Sequence, residues 1–470
     1  MVLKRVRVWL MLISMFISLQ GWRMEGCLKQ ERTALLQLKH FFNNPNRLQD
    51  WVEGQGNSDC CYWKSVYCSF TTGRVIFLDL GSVRNQELGE WYLNVSLFSP
   101  FQEMEKLNLS YNLIAGCVEN EGFERLSHLK NFVDLDLSYN MLNDSRILPV
   151  SRLSNLEHLS LSGNMFNNSI LSYVATLSSL EGLNLTDIGL KGTVDLQELD
   201  SLSNLKELNM GGNEIKKIVI SKGETSLRNL NRLYLSNMSI SDGRSLLQTL
   251  SLFPSLEHVE FSYNNFSEAV NTYGLHNFTN VEHFSIYDST LHIRFLRSIG
   301  AFTSLDILNM NDCEVTGVLT HQELPSFKNL TTLEIHDTVF HNNFLQILGA
   351  MTSLQSIVID IIDLNNTLLD QELPLFKNLI ALNIHGTVFH NNFLQMIGAM
   401  TSLEYIYITS SDISETLLDQ ELPSFKNLTT LEIHDTVFHN NFLQILGAMT
   451  SLQSIVIDII DLNNTLLDQG

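Results

Sequence analysis

The sequence predicts an α/β solenoid: a right-handed coil of short repeats, with a parallel sheet along its concave side and short helices or turns on its convex side. Three observations predict it. The pattern L-x-x-L-x-L-x-x-N begins as "MEKLNLSYN" at Met104 and recurs along the rest of the chain. From Phe132 onward its copies start 24 to 26 residues apart. Within each copy the L-x-L core alternates with a period of two. Its leucines therefore point to one side of a strand and the intervening residues to the other. No single copy can bury its own leucines; the neighbours on either side do so. At about 1.5–3 kcal/mol for each large apolar side chain buried, stability grows copy by copy.

The elements follow in chain order. Lys4, Arg5 and Arg7 precede an apolar run from Val8 to Leu19, with Gln20 and Gly21 behind it. A basic head, a short apolar stretch and a small residue make residues 1–26 read as a secretory signal peptide. The run is short for a membrane span, and later apolar runs such as "SIVIDII" are broken by Asp, so no membrane span is expected in this chain. A secreted chain favours disulfides, and four of the six cysteines (Cys27, Cys60, Cys61 and Cys68) cluster in the next segment. Adjacent Cys60 and Cys61 make poor partners. Of the pairings left, Cys27–Cys60 with Cys61–Cys68 is favoured. Residues 27–74 are assigned to an N-terminal cap. There Leu35, Leu38 and Phe42 form a helical stripe able to cover the first repeat, and Trp51 and Trp63 can fill the space beneath the disulfides.

The array runs from 75 to 470, opening with "VIFLDL" at Val75, and its pattern is the leucine-rich-repeat signature. The Asn that ends each motif (Asn112, Asn140, Asn164, Asn213, Asn264) sits where the strand turns inward, and its amide can satisfy backbone groups left unpaired there. Cys313 and Thr338 take the same slot, which gives Cys313 a structural role. Cys117 falls in an outer turn. In the return segments, apolar spacing predicts short helices at 343–354, 392–403 and 441–452, and a turn with a shorter helix in 163–180. Residues 323–469 form three 49-residue double-repeat units, with 323–371 and 421–469 identical. Packing does not demand such identity, which points to a recent duplication or an assembly error. No capping segment follows Gly470, so a truncated product is expected.

Net charge is −22, which argues against nucleic-acid binding. "LTTLEIHDTVFHNNF" at 330–344 recurs at 428–442 and raises the question of a repeated metal or catalytic site. In the column through His336, the residues are Asp360, His385, Thr409, His434 and Asp458. Strands lie about 4.8 Å apart, which puts His336 and His385 about 10 Å from each other, too far to share one zinc ion. No serine-elbow, HExxH or phosphate-loop pattern occurs. Neither a catalytic residue, a metal ligand nor a cofactor is expected, and the chain reads as a non-enzyme. The concave columns also carry tyrosines, among them Tyr111, Tyr139, Tyr405 and Tyr407. The densest cluster is Tyr234, His258, Glu260, Tyr263, His283, Tyr287 and Asp288, a candidate surface for a peptide or protein ligand. Ten N-x-S/T sites are candidates for glycosylation: Asn94, Asn143, Asn167, Asn237, Asn265, Asn277, Asn329, Asn365, Asn427 and Asn463. Two more, Asn108 and Asn184, lie within strands, where glycans would block the concave face.

The block "GCLKQERTALLQLKHFF", "LQDW" and "DCCYWKSVYC", followed by "TGRVIFLDL", resembles the plant-type leucine-rich-repeat N-terminal cap. With "GNMFNNSILSYVATLSSLEGLNL" behind it, the chain resembles plant receptor-like proteins. The resemblance implies an extracellular ligand-binding ectodomain at the cell surface, working in defence or development through receptor-kinase co-receptors. A soluble inhibitor of a foreign cell-wall-degrading enzyme, similar to plant polygalacturonase inhibitors, is the alternative. "LIAGCV" and "LKGTV" keep the Gly of the common plant repeat "LxGxIP" but lack its Pro, which puts the extra strand on the convex flank in doubt for many repeats.

Overall fold

The computed structural model describes residues 27–44, 46–53, 59–144, 152–267, 280–300, 302–317, 327–340, 351–360, 376–386, 388–389, 397–413, 425–438, 446 and 449–462. The leader at 1–26 and most of the helices expected at 343–354, 392–403 and 441–452 lie outside them. Two compact units are present, Met1–Ile188 and Gly189–Gly470. The segment 27–74 falls within the first of them.

In the first unit the helix Lys29–Phe42 buries Leu35, Leu38 and Phe42 completely. Arg84 donates to the carbonyls of Phe41 and Phe42, and its guanidinium lies over the Trp91 ring. Glu31 is buried as well: one carboxylate oxygen accepts from the Leu28 amide and the other from Arg74 at 2.9 Å. Cys27–Cys60 and Cys61–Cys68 are disulfide-bonded. Trp51 and Trp63 stack on each other at 5.9 Å, both buried. The short strand Val66–Cys68 runs antiparallel to Val75–Asp79, and from there the ladder is parallel through Lys106–Asn108, Asp134–Asp136, His158–Ser160 and Gly182–Asn184. Its register sets like on like: Leu78, Leu107, Leu135, Leu159 and Leu183.

The second unit continues the same construction. Its parallel ladder takes Glu207–Asn209, Arg232–Tyr234, His258–Ser262, His283–Tyr287, Ile307–Asn311, Thr332–His336, Ser356–Asp360, Ala381–His385, Tyr405–Thr409, Thr430–Phe438 and Ser454–Leu462 in chain order. Short helices lie in the return segments at Gly243–Leu250 and Ile293–Ile299, as Ile170–Val174 does in the first unit. Phe266 stacks on Phe295 at 4.5 Å under this layer. Gly243 lets it close, because a Cβ there would meet the Phe295 ring at 2.9 Å.

The flank departs from expectation. Trp91–Leu93 pairs with Ile114–Cys117, and Lys191–Asp195 with Glu214–Val219, so the missing Pro does not abolish the extra strand. Cys117 thus lies in a strand rather than an outer turn, and burial pushes its thiol up to about 12. Four shorter strands at 265–266, 290–292, 314–316 and 339–340 make a further parallel ladder.

The motif-ending Asn closes each turn. Asn140 accepts from the amides of Asn112 and Ile114 and donates to the carbonyls of Leu109, Leu137 and Ser138. Asn112 and Asn164 repeat the arrangement. Later repeats use smaller plugs. Thr338 donates to the His336 carbonyl and accepts from Cys313, while the Cys313 thiol donates to Ile286 and Asn311 and is held up at about 11 by burial.

Candidate functional site: the open sheet face

Strand positions alternate between core and surface, as in Thr332–His336, where Leu333 and Ile335 are buried and Thr332, Glu334 and His336 are not. Three columns of side chains therefore face outward from each ladder. A fourth column stands at the strand exits, where the residue before the plug turns left-handed: Tyr111, Tyr139, Asp187, Asn237, Tyr263, Asp288, Asp312, Asp337 and Asp435 all have φ between 46° and 56°. Gly163 and Gly212 fill the same position. At Gly163 a Cβ would collide with the Tyr139 ring, which stacks on Tyr111 at 4.3 Å.

The sequence cluster around residue 260 divides between these columns. Tyr234, His258 and His283 form a run of rings 5.8 and 6.1 Å apart, and Glu260 pairs in register with Tyr234. Burial and the neighbouring His283 hold the His258 imidazole below its usual range. Burial, then Glu207, pushes the Tyr234 hydroxyl up. Tyr263 and Asp288 stand apart from that run, in the exit column. Their hydrogen bond raises the Tyr263 hydroxyl, and Tyr263 is 62% exposed. Tyr287 ends its strand between Ser262 and Asn311. A second aromatic group, not included in the sequence-based cluster, lies at Tyr405 and Tyr407. Tyr407 is in register with Glu432 and 5.7 Å from the His434 ring. Its signal was two tyrosines at alternate positions of one strand.

The column His336, Asp360, His385, Thr409, His434, Asp458 is in consecutive register. Histidines recur on every second strand, and among the described residues no three His, Cys, Asp or Glu side chains converge as a metal site. Among the described residues, no helix is long and apolar enough to cross a membrane.

Of the candidate glycan sites, Asn277, Asn365 and Asn463 lie outside the described residues. Asn143 is half-buried in an irregular segment. Asn94 and Asn265 accept from the amides two residues on. Asn167 donates its amide to Asp144, and Asn329 and Asn427 donate theirs to carbonyls of the preceding repeat at Thr303 and Thr401. A glycan on these three amides competes with those bonds. Asn237 stands in the exit column, at the margin of the face. Asn108 and Asn184 are in strands, and Asn108 donates to Asp79.

Residues 28–69 match the leucine rich repeat N-terminal domain family. Cuscuta receptor 1 of Solanum lycopersicum is 32% identical over 247 residues, 51% of this chain and 20% of that protein. Receptor-like protein 9b of Arabidopsis thaliana is 36% identical over 154 residues, 32% of this chain and 16% of its own length. The chain thus spans a fifth or less of the length of these curated relatives. An LRR protein of Leptospira interrogans shares the fold, with a TM-score of 0.51 and 18% identity over 81% of this chain and 91% of that one. The cap at the head, the stacked repeats behind it and this kinship in sequence make the chain similar to plant leucine-rich-repeat receptor-like proteins over the part that matches.

Proposed function

We propose that the chain serves as the ligand-binding ectodomain of a cell-surface receptor, facing the extracellular space. It recognises a peptide or protein signal and passes it to kinase partners in defence or development. The observation that carries the reading is the open sheet face of the second unit, where Tyr234, His258 and His283 form a run of rings and Tyr287 and Tyr263 stand at the end and the exit of their strands. Tyrosine and histidine offer large, stiff, amphipathic contacts at little entropic cost, which suits recognition rather than chemistry. The two disulfides of the cap fit an oxidising compartment.

The test uses the secreted ectodomain and peptide fractions of extracellular plant fluid, with binding read by interferometry. At least one fraction is expected to bind wild type and to lose about tenfold or more in affinity with Tyr234→Ala, Tyr263→Ala and Tyr287→Ala combined. Unchanged binding by a folded triple variant rejects this face as the site.

A further inference from the structure

We infer that the ligand of the second unit's sheet face is a cationic peptide, and that histidines on the same face release it in acid; this rests on reading that face as the binding surface. The chain has 29 Lys and Arg, so their placement carries information. Between His258 and Asp458, the described outward positions of the ladder hold no Lys or Arg. They hold Glu260, Glu334, Glu432 and Asp458, and the exit column adds Asp288, Asp312, Asp337 and Asp435. Arg232 stands on the ladder one strand before this stretch, where Glu207 pairs with it at 3.8 Å; other basic residues of the unit lie off the face, as Lys216 and Lys217 on the flank strand, Arg294 and Arg297 on a helix and Lys377 in a turn do.

A second observation is independent of that count. A tyrosine beside a carboxylate on the next repeat occurs three times, as Tyr234 with Glu260, Tyr263 with Asp288 and Tyr407 with Glu432. A ring face and a carboxylate together make a receptor for an ammonium or guanidinium group, by cation–π attraction and a charge-assisted hydrogen bond. An acidic ligand would meet like charge across the whole face. A neutral one would strip water from carboxylates without replacing it. A peptide bearing Lys or Arg meets neither penalty.

The histidines set the pH range. His336 lies between Asn311 and the register position of Asp360, with Glu334 and Asp337 on its own strand and turn. His385 lies between Asp360 and Thr409, with Asn383 two residues before it. His434 lies between Thr409 and Asp458, with Glu432 and Tyr407 beside it. Histidine gains charge on acidification in a range where carboxylates keep theirs. Acid therefore cancels part of the negative field without removing a single carboxylate, and a cationic ligand is released.

The probe is a fluorescent peptide of about twelve residues with Lys or Arg at intervals among Gly and Ser, compared with the same peptide carrying Glu at those positions. Polarisation at about pH 7.5 is expected to show at least about tenfold tighter binding of the cationic peptide. The variant Glu260→Gln, Glu334→Gln, Glu432→Gln, Asp458→Asn should lose about tenfold, and the charge-matched control Glu87→Gln, Glu90→Gln, Glu119→Gln, Glu224→Gln, on exposed sites away from the ladder, less than about twofold. At about pH 5.5 wild type should weaken about tenfold, and His336→Gln, His385→Gln, His434→Gln should abolish that difference. Equal binding of the two peptides, or equal losses in the two Gln variants, overturns the inference. Unchanged affinity in acid overturns the histidine release. A natural ligand that is neutral or acidic, yet lost in the tyrosine triple variant, overturns it too while leaving the binding-face reading intact.

Discussion

Single side chains close every turn of this fold. The Asn140 amide serves five backbone groups of two adjacent repeats from a position only 4% exposed. Removing it takes the acceptor from the amides of Asn112 and Ile114, whereas the carbonyls of Leu109, Leu137 and Ser138 keep donors in Asn112, Asn164 and the Tyr111 amide; each amide that stays unsatisfied costs about 1–3 kcal/mol. Asn140→Ala should therefore destabilise the protein by at least about 2 kcal/mol, measured by urea unfolding. Asn140→Asp keeps the acceptor but loses the donor and should fall between. His258 is the second residue-scale case. Its folded pKa is depressed by burial and by His283. Between the folded value and the unfolded value of about 6.5 the unfolded chain binds more protons, so stability rises with pH there. The contribution is complete above the unfolded value and is lost as pH falls through the folded one. An NMR titration should place the His258 midpoint below the unfolded reference, and His258→Gln should flatten that part of the stability profile.

At the scale of an element, the identical segments 323–371 and 421–469 act as a natural control. Asp337 and Asp435 both turn left-handed, at φ 46° and 47°, and Thr338 and Thr436 both donate to the carbonyl two residues back, at 2.9 and 2.8 Å. A repeat thus encodes its own turn. Its burial comes from neighbours: Ile357, with described strands on both sides, is 1% exposed, whereas its counterpart Ile455, with a described strand on one side, is 47% exposed. The same division explains what the sequence made legible. The L-x-L core, the closing Asn and the stripe Leu35, Leu38, Phe42 are local patterns, and they stand where the spacing places them. The flank strand at Ile114–Cys117 depends on pairing with Trp91–Leu93, so a missing Pro was a poor guide to it. The split of the tyrosine cluster had a similar cause. "SYN" reads as a strand end, but Tyr263 has left its strand at φ 55° and Tyr287 has not. Glu31 was hidden because a charged residue on a helix normally faces water; here it closes the helix start and holds Arg74. Glu31→Ala leaves Arg74 without that partner and the Leu28 amide without its acceptor. It should cost about 3–5 kcal/mol and loosen the cap. Hydrogen exchange in Lys29–Phe42 that rises well above exchange in the strands of the same unit is the expected result.

For the whole molecule, each repeat adds little alone, and stacking turns single side chains into columns. That is how Tyr234 meets Glu260 and Tyr407 meets Glu432 although about 25 residues separate the partners in sequence. Which residue types fill the columns then matters: between His258 and Asp458 the described outward positions hold tyrosine, histidine and carboxylate, whereas Lys106 and Arg232 on earlier strands pair with Asp134 and Glu207. Raising the salt concentration should weaken a cationic ligand steeply, because the attraction is between exposed charges.

Hydroxyl-radical footprinting of the secreted ectodomain, free and with its bound peptide, tests the central claim most directly. Tyr234, Tyr263, Tyr287 and Tyr407 should be shielded by the peptide, while Tyr62 and Phe70, exposed at 76% and 96% on the cap, keep their reactivity. Shielding of the helices Gly243–Leu250 and Ile293–Ile299, with the four tyrosines left fully reactive, would contradict the account.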